Sequence, residues 1–284
     1  MIYFTAPRDF DPVVEGEYEA FLPTIWSDEW HSPEAVTVWV CDPLKAAGES
    51  ELAKFPNLLL LATPSTGTNH IDFEACARRG VMVVSLLNDR DNLDGISASA
   101  EFTFKLLLDC MRMKPAHELQ GKRVALIGHG RIGRRVEKYC QAFGASVDWS
   151  DPPAGDYLMN PAALFAYADA VIVCCSLTPK TTGMITKELI LSMKKNAVLV
   201  NTARGEVIDE EGLIEAMQER PDLKVAVDVV SGETTGKANP KRLIELGALV
   251  TPHIAGNTYD SRTKAARIIL GLIKGVYGNL SKEV

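Results

Sequence analysis

Long apolar runs are missing from this 284-residue chain; the longest, LLLLA and AVIVCC, fall far short of the roughly 20 residues a membrane helix needs. The start, MIYFTAPRDF, shows no basic segment followed by an apolar one, so no secretory leader is expected and the cytoplasm is the expected compartment. Excess positive charge is also missing: 30 Lys and Arg stand against 37 Asp and Glu, a net charge of −7. Neither nucleic acid nor a membrane is therefore an expected partner. No CxxC pair occurs among Cys41, Cys76, Cys110, Cys140, Cys174 and Cys175, and several sit inside apolar runs. They read as reduced core thiols, and no metal site is expected. Repeats and low-complexity tracts are not evident either. The remaining composition, 46% hydrophobic and 24% charged, excludes disordered and fibrous classes, and the length suits about two domains.

Short β-branched or Leu-rich runs alternate with longer amphipathic segments along the chain, the mark of parallel sheets built from βαβ units. Strands are expected to begin at Ile2, Val36, Leu58, Val81, Val124, Ser146, Ala170, Ala197, Val225 and Ala248. The polar, turn-rich NDRDNLDGI at 88–96 marks a boundary, followed by a long helix from Ser97 to about Met113. The fold class that follows is α/β: two Rossmann-like or flavodoxin-like domains with parallel sheets and a cleft between them. Residues 1–95, joined by a C-terminal helix at about 266–284, are read as the substrate domain and 96–265 as the nucleotide-binding domain.

The segment KRVALIGHGRIG places an apolar strand directly before Gly128-x-Gly130-x-x-Gly133, and RRVEKYCQAFG continues as a helix. Gly128 suits the tight turn, Gly130 a close backbone approach to a pyrophosphate, and Gly133 helix-to-strand packing. The first helical amides, at Arg131 and Ile132, would hold the phosphates. On the next strand, ASVDWSD, Asp151 has the spacing of the acid that accepts ribose hydroxyls, which favours NAD over NADP; Asp148 is expected to alternate outward.

Further on lie Leu177-Thr178-Pro179 through Gly183, Asn201-Thr202-Ala203-Arg204-Gly205, Asp228 followed by Glu233, and Thr251-Pro252-His253-Ile254-Ala255-Gly256. With the glycine motif these segments, spread in order over residues 55–265, resemble the D-isomer-specific 2-hydroxyacid dehydrogenases. That resemblance implies an NAD-dependent oxidoreductase that interconverts a small 2-hydroxy acid and its 2-oxo acid by hydride transfer. Such chemistry needs a cation for the substrate carboxylate and a group that exchanges the hydroxyl proton. Arg204 has the planar fork for the first task, and His253, an imidazole, suits the second. Glu233 would pair with His253 and fix its orientation. The family pattern puts Thr178, Thr202, Ala203, Asp228 and Gly256 around the cofactor, Asp228 near the nicotinamide carboxamide. It also puts substrate-binding amides on the loop Ser65-Thr66-Gly67.

Each assignment has a plain structural alternative. Arg204 could pair with Asp209 or Glu210, His253 could be a satisfied loop histidine, and Glu233 a solvated carboxylate, since Thr234 follows where the family usually has proline. His31 and His117 are expected in exposed links, and His129 turned away from the phosphates. Arg90, in the charged 88–96 loop, could meet an anionic substrate tail or stay solvated. Only residues 114–122 separate the long helix from the next strand, so a homodimer is expected with a shortened arm. Two other functions stay open: a dinucleotide-sensing, non-catalytic scaffold of the same fold, and a formate- or phosphite-type dehydrogenase.

Overall fold

The computed structural model describes residues 1–26, 32–151, 156–157, 160–233 and 236–280. The chain forms two compact units, Met1–Ile96 with Asn257–Val284, and Ser97–Gly256.

In the first unit, β1 (Ile2–Phe4), β2 (Thr24–Ile25), β3 (Val38–Val40), β4 (Leu60–Thr63) and β5 (Met82–Ser85) form a parallel sheet in the order β2-β1-β3-β4-β5. β1, β3 and β4 are fully buried, as expected for short β-branched and leucine runs covered on both faces. The helix Tyr259–Leu280 packs into this unit's core through Ala265, Ala266, Ile269 and Ile273. It therefore begins earlier than the expected 266, and residues 257–265 leave the nucleotide-binding unit. The cause is local: Asp11 N–H donates to Thr263 and the buried Tyr18 hydroxyl donates to the Ala266 carbonyl, so the first half of the helix is bound to the helix Pro12–Glu19 of the amino-terminal unit. Residues 281–284 lie outside the described residues.

The second unit carries β6 (Arg123–Ile127), β7 (Ser146–Asp151), β8 (Asp156–Tyr157), β9 (Ala170–Val173), β10 (Val198–Asn201), β11 (Lys224–Val227) and β12 (Leu249–Val250). Their order is β12-β11-β10-β9-β6-β7-β8, parallel except for β8, which runs antiparallel to β7. Strand order reverses at β6 beside β9, the switch point outside which open α/β sheets bind their ligands. The helices Ala98–Arg112 and Arg131–Ala142 cover one face through Leu106, Leu107, Val136 and Cys140. Two-residue β2 and β8 escape any sequence pattern, since neither is long enough to show alternation.

Candidate active site

The glycine loop joins β6 to the helix Arg131–Ala142, whose N-cap is Gly130. Gly128 has φ +105°, and a Cβ there would meet the Cys175 backbone nitrogen at 2.4 Å. A Cβ on Gly133 would lie 2.3 Å from the Gly128 carbonyl oxygen, so both positions are fixed by protein contacts. Gly130 differs: a Cβ there would meet nothing within 4 Å, and no side chain caps the helix that starts beside it. Space on the protein side and helix amides at Arg131 and Ile132 are what a pyrophosphate requires, so these residues fit a dinucleotide.

Asp151 ends β7, near enough to Cys175, against which Gly128 packs, to act on its thiol electrostatically. Asp148 points to the opposite face and is half-buried; it accepts a hydrogen bond from the Tyr167 hydroxyl. Burial first, and then this bond, raises the Tyr167 pKa. His129 lies flat on Trp149, ring centroids 4.2 Å apart and planes within 2°, and its Nε2 is 2.7 Å from Glu137. The imidazole is thus engaged on the helix and strand flank of the glycine loop. His117 is half-buried, whereas an exposed link was expected; His31 and Thr234 lie outside the described residues.

The catalytic candidates come from the ends of three neighbouring strands. After β10, Asn201 holds the turn at both sides: its Oδ1 accepts from Ala203 N–H at 3.0 Å and its Nδ2 donates to the Arg204 carbonyl at 3.0 Å. Thr202 is buried and bonded to Thr103 of the long helix at 2.7 Å. Arg204 donates to the Ala203 carbonyl at 2.7 Å and, among the described residues, makes no ion pair. The alternative of pairing with Asp209 or Glu210 does not hold: Asp209 caps the helix Glu210–Glu219, and Glu210 accepts from Ser231 N–H. Burial pushes the Arg204 pKa down, while the nearby charges of Glu233 and Glu206 oppose that shift.

Asp228 directly follows β11 and is fully buried. One of its oxygens accepts from the Thr251 hydroxyl at 2.5 Å and from Ile254 N–H at 2.9 Å; the other accepts from Ala255 N–H at 2.8 Å. The His253 N–H donates to the Asp228 carbonyl oxygen at 2.9 Å. These bonds hold the loop after β12, in which His253 takes φ +53°, a region uncommon for a residue with a Cβ. Asp228 thus anchors the loop that carries His253, a role its place in the sequence did not suggest. His253 Nδ1 lies 2.7 Å from a Glu233 oxygen, with side-chain exposures of 30% and 21%. A carboxylate there accepts the Nδ1 proton and fixes the tautomer of the ring. Glu233 is therefore the partner of His253 rather than a solvated loop acid.

Of the other expected positions, Thr178 N–H donates to Thr181 at 2.8 Å within the turn after β9, and a Cβ on Gly256 would lie 3.5 Å from Ser99. In the first unit, Ser65 accepts from Gly67 N–H at 3.0 Å in the loop after β4, which fixes that turn. His70 is buried beside it, 3.2 Å from Thr63. Arg90 opens a short helix capped by Asp89. Among the described residues, no group of three or more His, Cys, Asp or Glu side chains could hold a metal ion, and no helix is long and apolar enough to cross a membrane.

The strand order and the glycine loop define a nucleotide-binding α/β protein, and the comparisons narrow that class. Residues 106–255 match the family model described as D-isomer specific 2-hydroxyacid dehydrogenase, NAD binding domain. The chain belongs to this family. It is 32% identical over 264 residues to a D-3-phosphoglycerate dehydrogenase of Methanocaldococcus jannaschii, covering 82% of this chain and 48% of that protein. A glyoxylate/hydroxypyruvate reductase of Arabidopsis thaliana is 28% identical over 253 residues, covering 80% and 76%. The chain thus spans about half the length of the phosphoglycerate dehydrogenases it matches. Among solved structures, the NAD+-bound 3-phosphoglycerate dehydrogenase of Entamoeba histolytica superposes with TM-score 0.81 at 22% identity, covering 98% of this chain and 95% of that one. The D-lactate dehydrogenase of Aquifex aeolicus, complexed with NAD and lactic acid, gives 0.77 at 25% identity, covering 100% and 97%.

Proposed function

We propose that this protein is an NAD-dependent dehydrogenase that interconverts a small D-2-hydroxy acid and its 2-oxo acid. The observation that carries this reading is a half-buried Arg204 that, among the described residues, makes no ion pair, beside a joined Glu233–His253 pair. A cation partly withdrawn from water and left without a carboxylate partner is well placed to take one from a ligand, and a 2-oxo or 2-hydroxy acid brings that carboxylate. Bound NAD would supply the hydride acceptor or donor, held by Gly128, Gly130, Gly133 and the helix amides, with Asp151 at its ribose and Thr178, Thr202, Ala203, Asp228 and Gly256 lining its nicotinamide side.

Arg204 binds the substrate carboxylate and polarises the adjoining carbonyl. In oxidation His253 Nε2 takes the hydroxyl proton; in reduction the protonated ring returns it to the new alkoxide. Glu233 keeps the ring in the required tautomer throughout. Substrate binding through Ser65, Thr66 and Gly67, and contact of Arg90 with an anionic tail, are separate parts of this proposal.

A panel of 2-oxo acids with NADH and NADPH, followed by the absorbance of the reduced nicotinamide, tests the activity. Turnover is expected with NADH for at least one acid and its loss in His253→Ala; unchanged turnover in that variant refutes the mechanism. Use of NADPH in preference to NADH refutes the role of Asp151.

The assembly we propose is a homodimer with a short arm, and Phe143, 54% exposed and packed on Phe104 with centroids 5.0 Å apart, offers an apolar surface for it. Light scattering on the eluting protein reads the mass directly, and a monomer overturns the dimer. Six free thiols without a disulfide suit a reducing cytoplasm.

A further inference from the structure

Three consecutive amides in the loop after β11 each donate to a different carboxylate. Val230 N–H donates to Glu233 at 2.9 Å, Ser231 N–H to Glu210 at 2.8 Å, and Gly232 N–H to Glu206 at 3.1 Å. Two of these acceptors belong to another segment: Glu206 lies in the short turn Gly205–Val207 immediately after Arg204, and Glu210 opens the helix Glu210–Glu219. The two segments touch so closely at this point that a Cβ on Gly205 would lie 2.1 Å from the Val230 carbonyl carbon.

Glu233 uses its second oxygen for His253, so the register of this loop decides where that carboxylate sits. We propose that Glu206 and Glu210 are positioning residues that hold the Glu233 loop and, through it, the orientation of the His253 ring. This rests on the dehydrogenase reading for its consequence in turnover, though the geometry itself stands apart from activity.

The arrangement is costly enough to demand a purpose. Glu206, Glu210, Glu211 and Glu233 are mutually repelling carboxylates, and burial, with the charges of Glu211, Glu206 and Glu233 adding to it, raises the Glu210 pKa against the pull of its bond from Ser231. Loop amides facing water would be satisfied without any of them. What these side chains add is a fixed position, because an acceptor oxygen carried on a packed segment holds an amide in one place as mobile water does not. The same turn also carries the substrate cation. A shift of the Glu233 loop would thus be felt by both Arg204 and His253, and the clamp ties the two groups to one rigid frame.

The test compares the full chain with Glu206→Ala, Glu210→Ala, the double variant, and the matched Gln substitutions. Gln keeps an acceptor oxygen and removes the charge. The ring nitrogen and carbon NMR shifts of His253, assigned against His253→Gln, report its contact with Glu233 whether or not the protein turns over. In the Ala variants these shifts are expected to move toward those of Glu233→Ala, while the Gln variants stay near the wild type. For a 2-oxo acid that the wild type reduces, the double Ala variant is expected to lose about 10- to 100-fold in kcat with KM changed less than about threefold. His253 shifts that stay at wild-type values in both Ala variants, while Glu233→Ala moves them, overturn the proposal. A wild type inactive on every acid, with the shifts moved as expected, overturns the dehydrogenase reading and leaves the clamp standing.

Discussion

Replacing Asp228 by Asn separates anchoring of the His253 loop from every other function of that residue, because shape is kept while one acceptor becomes a donor. The carboxylate accepts three hydrogen bonds in full burial, two on one oxygen and one on the other. An Asn amide oxygen turned toward Thr251 and Ile254 points its NH2 at the Ala255 N–H, and the opposite flip strands two donors instead of one. The better flip loses one charge-assisted bond, worth about 1.5–3 kcal/mol, and leaves a buried donor unsatisfied, so roughly 3 kcal/mol of stability should go. For a unit of this size that is a fall of about 6–12 °C in the melting midpoint. Hydrogen exchange should locate the loss, with the amides of Ile254 and Ala255 speeding far more than those of β10. His253 depends on this anchor for its left-handed backbone, so turnover should fall with it. An Asn variant with an unchanged midpoint and unchanged exchange at Ile254 and Ala255 would refute the reasoning, whatever its activity.

Other perturbations test neighbouring links. Gly205→Ala forces a Cβ into the Val230 carbonyl, and retreat to ordinary contact moves the Glu233 loop by more than 1 Å. Overpacking of this kind costs about 1–3 kcal/mol, and the displacement about 100-fold in kcat, read by melting and by initial rates. Arg204→Lys keeps the charge and loses the fork, so kcat/KM for the preferred 2-oxo acid should drop about 10- to 100-fold; equal rates would remove Arg204 from substrate binding. Asp222 is held well below the usual carboxylate range by its hydrogen-bonded ion pair with Arg220, and the Asn196 N–H adds to this against a smaller burial effect. A depressed carboxylate contributes stability above its unfolded value, about 3.9, and loses it as the pH falls through the folded value. Asp222→Asn should therefore melt below the wild type at pH 7, and the gap should close on acidification from about pH 4 downward; a gap independent of pH removes the ion pair from the account.

Much of this was legible from residue types alone, and the reasons for the rest are physical. AVIV, VLV and VAV are buried on both faces and read as strands because nothing polar interrupts them. The glycine loop was readable because steric need at Gly128 and Gly133 leaves no other residue type. Arg204, Glu233 and His253 were singled out through residue chemistry and order in the chain, and the structure joins the last two. Asp148 takes the opposite face from Asp151, as alternation says, but alternation does not say that Tyr167 meets it there. Glu206 and Glu210 looked like ordinary acids of a turn and a helix start. No sequence pattern states that an acidic side chain will reach the amides of a loop some twenty residues further on, because that depends on how closely two segments approach. Gly205 was the available signal: a glycine directly after a functional arginine marks a backbone contact, here with Val230.

Sheet order explains why groups so far apart in the chain act together. β10, β11 and β12 are adjacent and parallel, so Arg204, Asp228 with Glu233, and His253 all emerge at their carboxyl ends. β6 and β7, across the switch point, present the glycine loop and Asp151 at the same edge. Parallel pairing alone would bring these loops to one side without fixing them to the fraction of an ångström that proton transfer needs. The fixing is done by carboxylates that accept from backbone amides: Asp228 for residues 254 and 255, Glu206 and Glu210 for 232 and 231, and Glu233 for 230. An amide cannot be mutated away, whereas its acceptor can. The acceptors are therefore where variation would loosen the site while leaving Arg204 and His253 in place, and a relative with both of those residues but apolar side chains at 206, 210 and 228 should bind dinucleotide and turn over slowly.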